Sequence, residues 1–576
     1  MPEAVEHCDL LVVGSGLGGL ATAITAATSG LRVIIAEKEP LFGGTTARSG
    51  GFMWVPCSGP AKRAGVVDNL IDARRYLEAE TGNFFDAARV DAFLNTGAEA
   101  VEFFETQTEL RFEPALALPD YHAETPGGRE GGRPLGAQSY DGRALGREIR
   151  RLRPPLREIT IAGMMIGSSK DLPHFPNVLR SPRSFVYVAK LMVRYGYDLL
   201  RHGRSMRLTN GNALVARLAR TAFDLKIQLW TSAPVTELLW QDDRIAGAVV
   251  QRDGQTVTVR PRHGVVLATG GFPQNRDLRA CLFPHAPTGA EHWSPAPEGN
   301  TGDGIALGES VGGHLVSDLP HAAAWVPVSL VPQADGRLNP FPHFVDRGKP
   351  GMIAVTPEGR RFVNEGRSYH DFCQGMLAAC AHKAETFAWL VCDHSTIRRY
   401  GLGFAKPYPL PIAHLVRSGY LHKGQTLGDL ARQTGMDEHV LAATVDRVNA
   451  DAATGVDTEF GRGTMAYNRY LGDPAVRPNP AFGAVASGPF YAVKLVMGDL
   501  GTFAGLRTDA QARVLDQHNA PVPGLFAVGN DALSIMGGNY PGGGITLGPA
   551  LVFGFIAGRT IATGALDNRQ SSPPMR

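Results

Sequence analysis

The apolar positions of the chain fall first into a short unbroken block. Asp9-Leu10-Leu11-Val12-Val13 shows no polar alternation, which predicts a strand buried on both faces, as in a parallel sheet. It runs into Gly14-Ser15-Gly16-Leu17-Gly18-Gly19, and a helical pattern of small residues continues to about Ser29, stopped by Gly30. A second strand, Arg32 to Glu37, follows. Two distant segments repeat the buried-strand pattern and also end in glycine: Val265 to Phe272 and Gly524 to Asp531. The last stretch of this kind is a glycine cluster, Gly537-Gly538-Asn539-Tyr540-Pro541-Gly542-Gly543-Gly544. Pro549 then occupies a favoured first-turn position of a helix predicted from Ala550 to Ala562. The apolar stretch Leu10 to Leu31 is interrupted by Gly, Ser and Thr in a strand-turn-helix order, so it is not a membrane span.

Between these blocks the pattern changes. The region from about Gly127 to Leu208 is the least patterned, with a flexible loop at Gly127-Gly128-Arg129-Glu130-Gly131-Gly132-Arg133. It contains one amphipathic helix, Ser184 to His202. Phe185, Val188, Leu191, Met192, Tyr195, Leu199 and Leu200 are spread over one side, with Lys190, Arg194, Arg201 and Arg204 among or just beyond them. Such a helix either packs on a core with its basic face in water or rests on a membrane surface. The polar tail after about Asp567 is expected to be disordered.

Composition narrows the class. A chain of 576 residues with 44% hydrophobic content can build two to four cored domains. Lys+Arg of 57 against Asp+Glu of 55 gives no reason to expect a nucleic acid partner. The 69 glycines are about twice the usual share. The six cysteines have neither C-x-x-C pairing nor metal spacing, and His is scattered, so no metal site is expected; buried free thiols in a reducing compartment are the simplest account. Pro2 to Glu6 is acidic where a secretory signal would be basic, so a cytoplasmic location is expected, with residues 184–204 a candidate for peripheral membrane contact.

The first glycine run, between a strand and a helix and followed by a second strand ending in an acid, is the dinucleotide fingerprint in its proper context. Gly14 makes the tight turn, Gly16 admits a pyrophosphate, Gly19 lets helix and strand pack closely, and Glu37 suits the ribose hydroxyls. A second loop rich in glycine and hydroxyls, Gly43-Gly44-Thr45-Thr46-Ala47-Arg48-Ser49-Gly50-Gly51, suits the longer FAD better than NAD. The cofactor domain is thus assembled from distant parts of the chain, with other residues inserted between.

These segments, together with Gly299-Asn300-Thr301-Gly302-Asp303-Gly304 and Gly359-Arg360-Arg361-Phe362-Val363-Asn364-Glu365, resemble the fumarate reductase/succinate dehydrogenase flavoprotein superfamily over nearly the whole chain. The resemblance implies an α/β fold: a Rossmann-like FAD-binding domain at 1–318 (with the 127–208 insertion) and 501–576, and a smaller α+β catalytic cap at 319–500. It also implies non-covalent FAD contacts at Gly14, Ser15, Gly16, Gly18, Gly19, Glu37, Lys38, Gly43, Gly44, Thr45, Thr46, Ser49, Gly50 and Gly51. Further contacts are implied at Val235, Thr269, Gly270, Asp303, Gly529, Asn530, Ile545 and Leu547.

The superfamily's dicarboxylate reductases clamp substrate with His and Arg. Here their double-His segment falls at Met497 to Thr502 with no His, and their Arg positions fall at Tyr369 and near Tyr540. That pattern is similar to the 3-ketosteroid Δ1-dehydrogenase branch, matched by Leu118-Pro119-Asp120-Tyr121, by Tyr369 four residues after Glu365, and by Tyr540-Pro541-Gly542-Gly543-Gly544. Gly543 stands where that branch has proline, which is expected to loosen the loop. The resemblance implies that the Tyr540 hydroxyl and Gly544 N–H hold a ketone oxygen, that Tyr369 takes the α proton assisted by Tyr121, and that hydride leaves the β carbon for flavin N5. Two donors at the ketone stabilise enolate charge, and Tyr121 donating to Tyr369 is expected to lower its pKa. His370 is a secondary candidate, since the next residue along a strand or loop usually faces elsewhere.

The expected activity is 1,2-desaturation of a 3-ketosteroid, with an unidentified electron acceptor. Alternatives are another cyclic ketone, the 4,5 bond of a 5α-3-ketosteroid, a fumarate reductase-like dicarboxylate reductase, and a flavin-binding protein without catalysis. Each tyrosine taken alone is as well explained by packing.

Overall fold

The computed structural model describes residues 4–570 except 168–170, 172–173, 176–177 and 179–180. The unbroken apolar blocks form the middle of one six-stranded sheet. Its order is Arg513–Leu515, Pro521–Ala527, Val265–Leu267, Leu10–Val13, Val33–Ala36 and Gln228–Trp230, parallel except for the first strand. Leu11, Val12 and Val13 pair with Val265, Val266 and Leu267, which pair in turn with Leu525, Phe526 and Ala527. The central strands Val265–Leu267, Leu10–Val13 and Val33–Ala36 are apolar on both faces because both are covered, as in a parallel sheet.

The helix Leu17–Thr28 follows the first strand and is almost wholly buried. A Cβ at Gly19 would come within 2.1 Å of the Gly14 carbonyl oxygen, which is why only glycine allows the helix so close to the strand end. Against this helix lies Leu547–Gln570, where a Cβ on Gly554 would meet Ala21 at 2.7 Å and one on Gly558 would meet Thr25 at 2.7 Å. That second helix starts before Pro549 and extends past the predicted Ala562. Its last turn includes the beginning of the expected disordered tail, whose remainder lies outside the described residues. By length and composition its segment Leu547–Gly564 could cross a membrane, but 67% of that segment is buried inside the protein.

A second large sheet is antiparallel: Leu338–Pro342, Ala323–Pro332, Phe490–Thr502, Phe387–Asp393 and Met352–Val355, with His422–Gly424 pairing the long strand Phe490–Thr502. Helices Tyr369–Ala379 and Glu438–Thr454 belong to the same stretch of chain. The architecture is therefore α/β with a second, α+β layer on one side.

The amphipathic helix forms, over Pro182–His202, begun by Ser181 accepting the Ser184 N–H and closed by Gly203 in the left-handed region. Its apolar residues do not pack on a core as a group. Phe185 and Met192 are about half exposed and Leu200 is 92% exposed; of the apolar set only Val188 is buried. The cysteines are free, but Cys57 is half-buried and Cys281 exposed, against the expectation of buried thiols throughout.

Candidate active site

The strand ends and glycine loops converge on one cavity of about 790 Å³ between the parallel sheet and the cap. Gly14, Ser15, Gly16 and Gly18 line it from the first loop; Glu37 and Lys38 from the second strand end; Gly44, Thr45, Thr46, Ser49, Gly50 and Gly51 from the second loop. Val235, Thr269, Gly270, Asp303, Gly529, Asn530 and Leu547 complete that part of the wall. Three predicted contacts are not on it. Gly19 serves helix-to-strand packing, Gly43 holds a left-handed turn against Val215, and Ile545 is buried facing a separate small cavity beside Arg89.

Several of these groups hold one another. Glu37 accepts from the Ser15 hydroxyl at 2.5 Å and the Ser15 N–H at 3.1 Å, and burial raises its carboxyl above the ordinary value. Lys38 pairs with Asp303 at 2.7 Å. Thr269 donates its hydroxyl to Asp531 at 2.9 Å, as does the Gly271 N–H, so Asp531 fixes the glycine turn after the strand. Two arginines add positive charge: Arg48, present in the second loop motif, and Arg153, which no sequence signal singled out. Both line the cavity, and each has a buried Nε without a hydrogen-bond partner.

These features fit an anionic dinucleotide. The helices Leu17–Thr28 and Leu547–Gln570 both start on the cavity wall, so the positive ends of their dipoles face it. Gly14 at φ +107° and Gly44 at φ +49° let the backbone turn in conformations that other residues rarely adopt. The orphaned Arg48 and Arg153 nitrogens suit a pyrophosphate.

The tyrosines meet at the other end. Tyr369 is the first residue of its helix, capped by Ser368 accepting the Asp371 N–H at 3.0 Å. The Tyr121 hydroxyl donates to the Tyr369 hydroxyl at 3.2 Å. The Tyr540 ring centroid lies 4.9 Å from that of Tyr369 and 5.8 Å from that of Tyr121. A fourth, Tyr467, which lies in none of the motifs read from the sequence, is 4.3 Å from Tyr121. All four rings are buried, Leu118 and Phe344 stand beside them on the cavity wall, and no His lines it among the described residues.

The late glycine loop is pinned on both sides of Gly543. The Pro541 carbonyl accepts the Tyr76 hydroxyl at 2.6 Å and the Tyr121 N–H at 2.8 Å, and the Gly544 carbonyl accepts the Trp54 N–H at 3.0 Å. A Cβ at Gly543 would come within 3.0 Å of Leu118. The glycine leaves room for the Leu118 side chain in a loop held by hydrogen bonds on both sides.

Burial pushes the Tyr369 hydroxyl well above the ordinary phenol value, and the neighbouring Tyr121 and Tyr540 push it further. The expected lowering by Tyr121 is overturned. One hydroxyl contact cannot offset the loss of water around a phenolate in a box without a cation. His370 is also a helical residue, not one on a strand or loop. Its Nδ1 accepts the Trp325 N–H at 3.0 Å, and burial holds it down to about 3, so it is a neutral structural group.

One charged group lies just outside. His122, next to Tyr121, places Nδ1 2.6 Å from Glu80 and Nε2 2.7 Å from Asp371, two residues after Tyr369. Against the downward pull of burial, the two carboxylates raise it to about 10. This clamp ties the Tyr121 loop to the Tyr369 helix.

Comparison with known proteins agrees with this geometry. The FAD binding domain family matches residues 9–547. The chain is 41% identical to 4-oxocyclohex-2-ene-1-carboxylate 5-dehydrogenase of Sinomonas cyclohexanicum, covering 96% of this chain and 94% of that one. It is 35% identical to 3-oxosteroid 1-dehydrogenase of Mycolicibacterium smegmatis, covering 98% and 99%. Among solved structures it resembles 3-ketosteroid delta1-dehydrogenase from Sterolibacterium denitrificans in complex with 1,4-androstadiene-3,17-dione. There the TM-score is 0.89 at 34% identity, covering 97% of this chain and 100% of that one.

Proposed function

Because the chain belongs to the FAD binding domain family, and is an FAD-dependent oxidoreductase acting on CH–CH groups of cyclic ketones, we propose that it desaturates the bond α,β to a ring ketone, with the 1,2 bond of a 3-ketosteroid as its target. The observation that carries this reading is the buried tyrosine group closed by the Gly544 turn. It offers neutral hydroxyls and an N–H where a dicarboxylate reductase would need cations.

In this reading Tyr540 and the Gly544 N–H donate to the ketone oxygen and stabilise enolate charge as it develops. Tyr369 receives the α proton. Since burial keeps Tyr369 neutral at rest, its own proton must leave to solvent before it can act as a base; the Tyr121 hydroxyl, donating at 3.2 Å, is its hydrogen-bond neighbour. Bound in the cavity, FAD supplies the acceptor for the hydride released from the β carbon. The backbone and side chains at Gly14, Gly16, Thr45, Thr46, Arg48, Arg153 and Leu547 would hold it, with residues 319–500 as the cap that brings Tyr369 over the ring ketone.

A smaller ring ketone is the second reading. It is favoured by the 41% identity to a relative named for a ketone of one six-membered ring bearing a carboxylate. The exposed Phe185, Val186, Met192, Val193 and Leu200, interleaved with basic residues, support peripheral membrane contact through 184–204. Anaerobic mixing of the yellow protein with a panel of 3-ketosteroids, cyclohexanones and 4-oxocyclohexanecarboxylates tests the function. Bleaching by a ring ketone is expected; a flavin that no ring ketone bleaches, or fumarate turnover with reduced dye, would overturn it.

A further inference from the structure

The cap contributes a single cation to the cavity wall among the described residues, Lys406. It lies in the segment 401–410, whose Tyr408 also lines the cavity and is 61% exposed, so this part of the wall borders the opening to solvent. The ammonium stands 5.1 Å from the centroid of Phe341 and 5.6 Å from that of Phe404. Its one hydrogen bond is to the Glu158 carbonyl oxygen at 3.2 Å.

A charge in such a place needs an explanation, because half-buried ammonium groups are normally paired. No described carboxylate lies within the 4.0 Å ion-pair distance of Lys406. The Glu158 carboxylate is turned to Asn339, which donates to it at 2.8 Å, and Asp346 is held by His343 at 2.7 Å. Burial brings the lysine down to about 8, with Asp346 and Glu158 acting the other way, so it carries its charge at neutral pH.

We propose that Lys406 is the anchor of a carboxylate subsite, and that the ring ketone desaturated here carries a carboxylate at the end away from its carbonyl. This inference rests on the ring-ketone reading for the position of the carbonyl. The Tyr540 and Gly544 end then holds the ketone oxygen, the aromatic wall holds the ring, and Lys406 completes its charge with the substrate's own anion. An apolar wall with one cation beside the exposed Tyr408 gives orientation: a ring with two chemically similar α positions is fixed at both ends. The carboxylate can sit directly on a single six-membered ring or at the end of a side chain on a polycyclic ketone, and the chemistry of recognition is the same.

The test uses the FAD-loaded full chain and measures equilibrium dissociation constants by calorimetry. The probes are 4-oxocyclohexanecarboxylate, a 3-ketosteroid with a side-chain carboxylate, and the methyl ester of each. The acid of at least one pair should bind about 10- to 100-fold more tightly than its ester, the range of one charge-assisted hydrogen bond. Lys406→Met should erase that difference while leaving ester affinity and flavin absorbance unchanged, and Lys406→Arg should restore most of it. The pair that shows the difference identifies which carboxylate the subsite takes. Equal binding of acid and ester in both pairs, or an acid preference that survives Lys406→Met in the folded, yellow variant, overturns the proposal. Bleaching by neutral ketones is read separately. Acid preference through Lys406 without any bleaching would leave the subsite standing and remove the dehydrogenase reading.

Discussion

Two buried polar regions, around Glu365 and Tyr369 and four residues apart in sequence, are built on opposite rules. Around Glu365 every charge is answered: Arg361 binds it at 2.9 Å and also Asp457 at 2.9 Å, Arg462 binds Glu365 at 2.9 Å, and the Ala354 N–H adds 3.0 Å. Against the upward pull of burial, Arg361 and Arg462 hold the Glu365 carboxyl below its ordinary value. Around Tyr369 there is no charge to answer, and burial drives the hydroxyl the other way. The first region stabilises by pairing opposite charges; the second presents neutral hydroxyls, in contact with one another, on the wall of a cavity. Buried polarity alone therefore does not mark a site, and its position on a cavity wall is the added criterion.

Four experiments separate the two regions, from the largest effect down. Tyr369→Phe should lower ketone-driven flavin bleaching by about 10³- to 10⁴-fold while FAD stays bound, as loss of a general base does; stopped-flow absorbance gives the answer, and retained rate would remove the base. Glu365→Gln leaves two buried guanidinium groups undercompensated and should cost about 3–5 kcal/mol of stability, read in denaturant unfolding, if the network is structural. Tyr540→Phe should cost about 10²- to 10³-fold in bleaching rate with little change in stability. His122→Gln should cost about 1–3 kcal/mol by removing a charged bridge between Glu80 and Asp371.

The pH dependence follows from the same groups. Tyr369 acts as a base only after losing its proton, and its pKa is raised, so the bleaching rate should climb as pH rises on the alkaline side. The His122 clamp has a folded pKa raised from 6.5 to about 10, so its contribution to stability is complete below about pH 6.5 and is lost as pH climbs through about 10. Stability should therefore fall by the clamp's contribution as pH climbs through about 10, read in denaturant unfolding, and in His122→Gln that fall should be absent.

Much of the parallel sheet was legible because its strands are continuous apolar blocks ended by glycine, a pattern that local physics fixes. The tyrosines Tyr121, Tyr369 and Tyr540 were found through resemblance, and the structure brings them within hydrogen-bond or ring-contact distance. Tyr467, Arg153 and Lys406 were not, because each becomes meaningful only where distant segments meet at the cavity. The exposure of Phe185 and Leu200 was equally hidden, since a sequence pattern shows which residues share a face and not whether anything covers it. The start of the last helix was misplaced at Pro549 because its first hydrogen bond, from the Gly548 N–H to the Gly544 carbonyl at 2.8 Å, begins inside the glycine loop.

The seam between the helices Leu17–Thr28 and Leu547–Gln570 joins the two ends of the chain. Gly554 and Gly558 let the two backbones touch, and the Tyr76 hydroxyl reaches Pro541 across a sequence separation of 465. During synthesis the first nucleotide-binding loop emerges long before the residues that close over it. The cavity wall is therefore complete only where the two ends of the chain meet, and a chain cut before the Leu547 helix would lack one side of it.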